Sequence, residues 1–180
     1  VSVIRLIEDF RHAIRTFVEL DDDSVIEPWD RVAVLRMDKP ETDLWKRAGV
    51  EGKVPETFLL MVRNGADPVY EMLWRPQPTM ALEQCAVVGY SKQGDVTIIA
   101  ANIDDWLDAL LYSGGAVGGG SEEDLESARE DASREAVRLG DQIADELDRE
   151  LPELESMGER WETAQEKWFD AWADAVEGEE

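Results

Sequence analysis

One cysteine, one histidine and five lysines stand in a chain of 180 residues, and each scarcity removes a class of function. With Cys85 alone, no intrachain disulfide can form and no structural zinc site can be built on thiolates. The low count is compatible with a reducing compartment. A Ser–His–Asp triad, a Cys–His dyad or a histidine-rich metal site would all have to use His12. Its neighbours at helical spacing are Glu8, Asp9, Arg15 and Thr16, a charged face, so His12 reads as a surface residue. Cys85 follows Gln84 with no adjacent base and reads as a small buried apolar residue. No apolar run is long enough to span a bilayer. No basic stretch followed by an apolar core opens the chain, so no signal peptide is expected. These absences together predict a cytoplasmic protein without a membrane partner.

Positive charge is the next shortage. Forty-two Asp and Glu face 18 Lys and Arg, a net charge of −24. Such a surface repels nucleic acid and anionic membranes, whose binding needs Lys and Arg to displace counterions. It attracts and steers basic proteins. A salt-adapted or simply solubilised surface would carry the same balance. The charge is uneven: residues 1–120 hold 20 acids and 12 bases, residues 121–180 hold 22 acids and 6 bases. Between them lies Ser113-Gly114-Gly115-Ala116-Val117-Gly118-Gly119-Gly120, which reads as a flexible joint. The expected organisation is a mixed domain over 1–112, a Gly-rich linker over 113–120 and an acidic amphipathic helical segment over 121–180.

Hydrophobic residues make up 43% of the chain, enough for a packed core. Val3, Ile7, Phe10, Ile14 and Phe17 recur at spacings of four and three, which predicts a helix from about Val3 to Leu20. Arg31–Met37 reads as a strand and Pro40–Arg47 as a short helix. Pro55–Arg63 reads as a helix with proline in its first turn, ended by Asn64-Gly65. Strands follow at Val69–Trp74, Ala86–Tyr90 and Asp95–Ala101, the last two joined by a turn at Ser91-Lys92-Gln93-Gly94. Asn102 or Asp104 then caps a helix through Leu111. This mixture predicts an α+β fold, with helices packed on a small, mostly antiparallel sheet.

In the tail, Ser121 is a good N-cap, and Glu122, Glu123 and Asp124 suit a first turn. One apolar stripe runs through Leu125, Ala128, Ala132, Ala136, Leu139, Ile143 and Leu147. A second runs through Leu154, Met157, Trp161, Ala164, Trp168, Trp172 and Ala175. Pro152 between them predicts two helices meeting near Leu151-Pro152. Folded back as a hairpin, they would set the tryptophans against Ile143, Leu139 and Ala132. Cover for the apolar faces is expected from the chain itself. The competing reading is self-association through these helices, which would make the protein a scaffold component.

No constellation of residues reads as a catalytic, cofactor or metal site. Asp21–Asp23 and Asp104–Asp105 have the oxygen ligands that hard cations take, but they lack the spacing of a calcium loop. The glycine run lacks the Lys-Ser/Thr of a phosphate loop, and acids follow it. If exposed carboxylates meet a basic partner, Asp21, Asp22, Asp23, Asp104, Asp105, Glu122, Glu123 and Asp124 are the candidates. The seven tryptophans read mostly as core, with one or two available to an interface.

One stretch carries a family resemblance. Val54-Pro55-Glu56-Thr57-Phe58-Leu59-Leu60, followed by Asn64-Gly65, resembles the Leu-Pro, helix, Asn-Gly opening of the SMI1/KNR4 (SUKH) superfamily. Val87-Val88-Gly89-Tyr90, Gly94-Asp95 and the Asn102–Leu111 segment resemble its closing strands and terminal helix. The likeness covers roughly residues 40–112. The charged motif of that superfamily's middle strands is missing, and the acidic tail has no counterpart there. The resemblance implies an α+β fold with helices against a mixed sheet. Many members act as immunity proteins that bind and neutralise toxins, so it also implies a binding role without catalytic residues. Since many such toxins are basic nucleases, an acidic surface would suit the partner it implies.

Overall fold

The computed structural model describes residues 2–19, 26–37, 40, 56–64, 68–91 and 95–177. Among these, five strands form one sheet: β1 (Val32–Val34), β2 (Thr57–Arg63), β3 (Val69–Trp74), β4 (Ala86–Ser91) and β5 (Val96–Ala100). The strands lie side by side in chain order, and every neighbouring pair is antiparallel. Five helices surround the sheet: α1 (Val3–Ile14), α2 (Ile103–Tyr112), α3 (Glu122–Asp131), α4 (Arg134–Glu146) and α5 (Leu154–Glu177). The fold is α+β.

Side chains alternate across a strand, and here both faces are covered. Leu73 and Val87 point to a core shared with α1, α2 and α4, where Ile7, Phe10, Trp106, Leu110, Leu139 and Ile143 meet. Met72, Trp74, Ala86 and Val88 point the other way, against Ala164 and Trp172 of α5. The indole of Trp172 stands 5.2 Å from that of Trp74, and Trp168 meets Trp74 edge-on at 5.8 Å. A third, smaller cluster of Ala109, Leu125 and Met157 joins α2, α3 and α5.

The helices start where short polar side chains satisfy free backbone N–H groups. Ser2 Oγ accepts from Arg5 N at 3.2 Å, Asn102 Oδ1 from Asp105 N at 2.9 Å and Ser133 Oγ from Ala136 N at 3.1 Å. Ser121 and Asp124 form a reciprocal capping box at the start of α3. The α1 stripe of Val3, Ile7, Phe10 and Ile14 is buried as its spacing requires. Arg15–Glu19 continues it as a wider π-turn.

Four expectations are corrected. Thr57–Arg63, expected within a helix, is the strand β2, paired on both sides and bulged at Leu60. The five-residue apolar run Phe58–Val62 is too short for periodicity to separate strand from helix, and two waiting neighbours decide the matter. The tail contains three helices, not two. It breaks at Ala132-Ser133 as well as at 147–153, where Pro152 lies. The tryptophan stripe covers the sheet rather than Leu139 and Ile143, because those two are already buried against α1 and α2.

The fourth correction concerns the glycine run. Its residues are packed in the interior, so 113–120 is a fixed strap and not a flexible linker. Gly115, at φ +88°, lies so close to Trp29 that a Cβ would stand 2.7 Å from the indole. A Cβ on Gly119 would stand 1.9 Å from the carbonyl oxygen of Ile99. Ser113 is fully buried, and its Oγ donates to Leu110 O. The segments 1–112 and 121–180 therefore share their cores instead of forming separate units. All of the expected helix over 40–47 except Pro40, and the turn positions 92–94, lie outside the described residues.

Candidate functional site

Of the eight acids singled out from the sequence, five lie among the described residues. Asp21, Asp22 and Asp23 lie outside the described residues. Glu122, Glu123 and Asp124 are exposed in the first turn of α3, where Asp124 serves the capping box and all three suit the helix dipole. Asp104 and Asp105 open α2 and are tied internally.

That tie is a charge cluster joining α2 to the segments around α5. Arg149 donates to Asp108 Oδ1 at 2.9 Å and to Asp104 Oδ1 at 3.0 Å. Arg160 donates to Asp105 Oδ1 at 3.1 Å and approaches Asp108 Oδ2 at 3.6 Å. Asp108 is buried. Burial pushes the Asp105 and Asp108 carboxyls above the ordinary carboxylate range, and the arginines beside them pull them only part of the way back. Arg149 reaches the cluster from just past Asp148, which adopts a left-handed φ of +54°. The cluster is a structural clamp, with its carboxylates consumed.

A second charged group lies inside the first core. Glu71 is 2% exposed. It accepts from Arg63 Nε at 3.0 Å and from the Trp106 indole at 3.2 Å. Arg63 also donates to the carbonyl of Gly115 at 2.6 Å, which fastens the strap to β2. Removing one member would leave the other charge buried and unpaired, at about 3–5 kcal/mol.

Cys85 and His12 are placed apart from any shared site among the described residues. Cys85 is fully buried, donates to Ala81 O at 3.4 Å, and burial pushes its thiol up to about 11, so it is not a thiolate at neutral pH. His12 is exposed on α1. Among the described residues no three His, Cys, Asp or Glu side chains converge as metal ligands. Nor is any helix there long and apolar enough to cross a membrane.

What the surface does present is the outer side of α5. Glu155, Glu159, Glu162, Glu166, Asp170 and Asp174 are all exposed. They succeed one another at three or four residues, opposite the side that buries Ala164 and Trp172. From Glu155 to Asp174, nineteen steps of 1.5 Å make a stripe of about 28 Å. Phe169 stands at its margin, beside Glu162 and Glu166 at helical spacing, 46% exposed, one of two large apolar side chains so displayed among the described residues. Counting charges in sequence had singled out helix starts and loops. The stripe was findable from the apolar period itself, since acids filled the complementary positions. Compared with known proteins, the chain matches no family model, no curated protein and no solved structure.

Proposed function

We propose that this protein is a binding module that occludes a basic protein partner, in the manner of an immunity protein, through the outer side of α5. The observation that carries this reading is the acidic stripe beside an exposed Phe169. Carboxylates steer a basic surface in, and an aromatic supplies a contact that desolvates well. Most of α5 is a rigid platform, because its inner side is locked on the sheet by Trp172 and Ala164. Further support is the SUKH-like run of strand, strand and helix that includes Val87–Tyr90 and Asn102–Leu111. The helix that this resemblance would place at 55–63 has no such support, since Thr57–Arg63 is a strand.

Assembly through the apolar stripes of the C-terminal helices has less to rest on. Leu125, Leu139, Ile143, Met157 and Trp172, which it would need at an intermolecular surface, are buried within the chain.

Binding of basic products encoded beside this gene, measured by surface plasmon resonance, tests the proposal. Exposed charges act over about 8 Å at physiological ionic strength. Association should therefore slow as salt rises, with dissociation changing less. Absence of any binder among those products, or an association rate indifferent to salt, would contradict the proposal.

A further inference from the structure

We propose that the groove between α3 and α4 is a self-association surface, in which a second copy of this chain docks about a two-fold axis. The groove is a cavity of about 620 Å³ lined by three arginines and three carboxylates. It is thus a neutral patch on a chain of net charge −24. Two copies meeting at this patch bring no net charge of the patch itself against each other.

The charges are sorted onto two walls. Glu126 and Glu130 stand one turn apart on α3, and Arg134 and Arg138 one turn apart on α4. Only Ala132 and Ser133 separate the helices. All four side chains are exposed. None makes an ion pair or hydrogen bond with any described residue. The remaining arginine is spent: Arg129 donates to Tyr112 O at 2.8 Å, covers the Tyr112 ring at 4.5 Å and approaches Asp141 at 3.8 Å. In so acidic a chain, two arginines left unpaired beside two unpaired glutamates are a placed feature.

A surface with one acidic and one basic wall is self-complementary. In a two-fold interface the same patch serves both copies, so residue i meets j of the partner and j meets i. Arg134 and Arg138 of one copy would face Glu130 and Glu126 of the other, twice over. The half-buried Tyr112 and Val137 would supply apolar contact between the pairs. An occupant has to carry both signs in the matching order, and a second copy of this chain does.

Exposed pairs contribute at most about fivefold each to an association constant, so the dimer is weak. Sedimentation equilibrium of the full chain up to about 1 mM should show reversible dimerisation. Arg134→Glu with Arg138→Glu should weaken it at least about tenfold, and so should Glu126→Arg with Glu130→Arg. An equimolar mixture of the two double variants should form a heterodimer tighter than the wild-type dimer. Both variants alter exposed side chains, and circular dichroism checks that they fold. Should either misfold, Arg134→Gln with Arg138→Gln gives the same reading without charge reversal. A wild-type chain that stays monomeric throughout overturns the proposal. A dimer indifferent to these substitutions overturns it too, as does a mixture that fails to associate. None of these outcomes touches the α5 stripe, so this inference and the binding role stand or fall separately.

Discussion

Gly140 sits in the middle of α4, where helix propensity alone argues for replacing it. Alanine in a helix interior is favoured over glycine by about 1 kcal/mol. The packing reverses that sign. A Cβ on Gly140 would stand 2.3 Å from the carbonyl oxygen of Leu111 and 3.3 Å from its carbon. The obstacle is the backbone of α2, which cannot swing aside as the tip of a long side chain can. Accommodating the methyl means parting α2 from α4, and so loosening Leu139 and Ile143 from the first core. Overpacking of this kind costs about 1–3 kcal/mol, occasionally more. The 2.3 Å approach to backbone puts this case in the upper part of that range, about 2–3 kcal/mol, so that net of the propensity gain Gly140→Ala should lose about 1–2 kcal/mol. In a domain of this size that is a fall in melting temperature of roughly 2–8 °C. Urea and thermal denaturation, followed by circular dichroism, measure it. Unchanged or increased stability would show that the two helices do not cross this closely.

Three further outcomes are expected. Trp172→Ala should cost about 3–5 kcal/mol, because the indole is fully buried against Trp74; a loss under about 1 kcal/mol in urea denaturation would mean that α5 is not docked there. Asp105 and Asp108 have folded pKa values raised by burial, so the folded state takes up their protons more readily than the unfolded chain, whose aspartates titrate near 3.9. Their contribution to stability should grow as pH falls through the raised folded values toward that point, and shrink as pH rises again. Denaturation at a series of pH values should show this, with Asp105→Asn plus Asp108→Asn flattening the slope; an unaltered slope in the double variant would refute the assignment. Glu71→Ala should cost about 3–5 kcal/mol by stranding Arg63 and the Trp106 indole, and amide exchange should quicken at Gly115–Gly118; protection unchanged there would separate the strap from this network.

Much of this architecture is legible without coordinates, and the failures share a cause. The strand at Val69–Trp74 and the helix from Asn102 follow from pattern and capping chemistry, which are local. Thr57–Arg63 is different. Pro55 ahead of it and Asn64-Gly65 behind it punctuate a helix as well as they punctuate a strand, and β1 and β3 make the choice. The glycine run shows the same limit. Composition tells that side chains are missing but not whether the backbone there is free or pressed against Trp29 and Ile99. The tail's two apolar stripes announce faces that need cover without saying what covers them. Leu139 and Ile143 turn to one side of the sheet's core and Trp172 to the other, a division that depends on where the strap delivers the chain. Among the acids, Asp104 and Asp105 stand out by adjacency, yet Arg149 and Arg160, more than forty residues away, consume them. The acids of α5 draw no notice singly and matter only as a row.

That row is the centre of the functional account, and one measurement addresses it directly. Each product encoded beside this gene is expressed in a bacterial host, alone and together with this protein, and viability is scored. The protein is supplied either unchanged or with Glu155, Glu159, Glu162 and Glu166 replaced by Gln and Asp170 and Asp174 by Asn. These side chains are exposed, so the variant should fold as the wild type does, and its melting temperature checks this. The account predicts that one basic neighbour is toxic, that the unchanged protein restores growth, and that the neutralised variant does not. Equal protection by the folded variant, or no toxic neighbour at all, would contradict it.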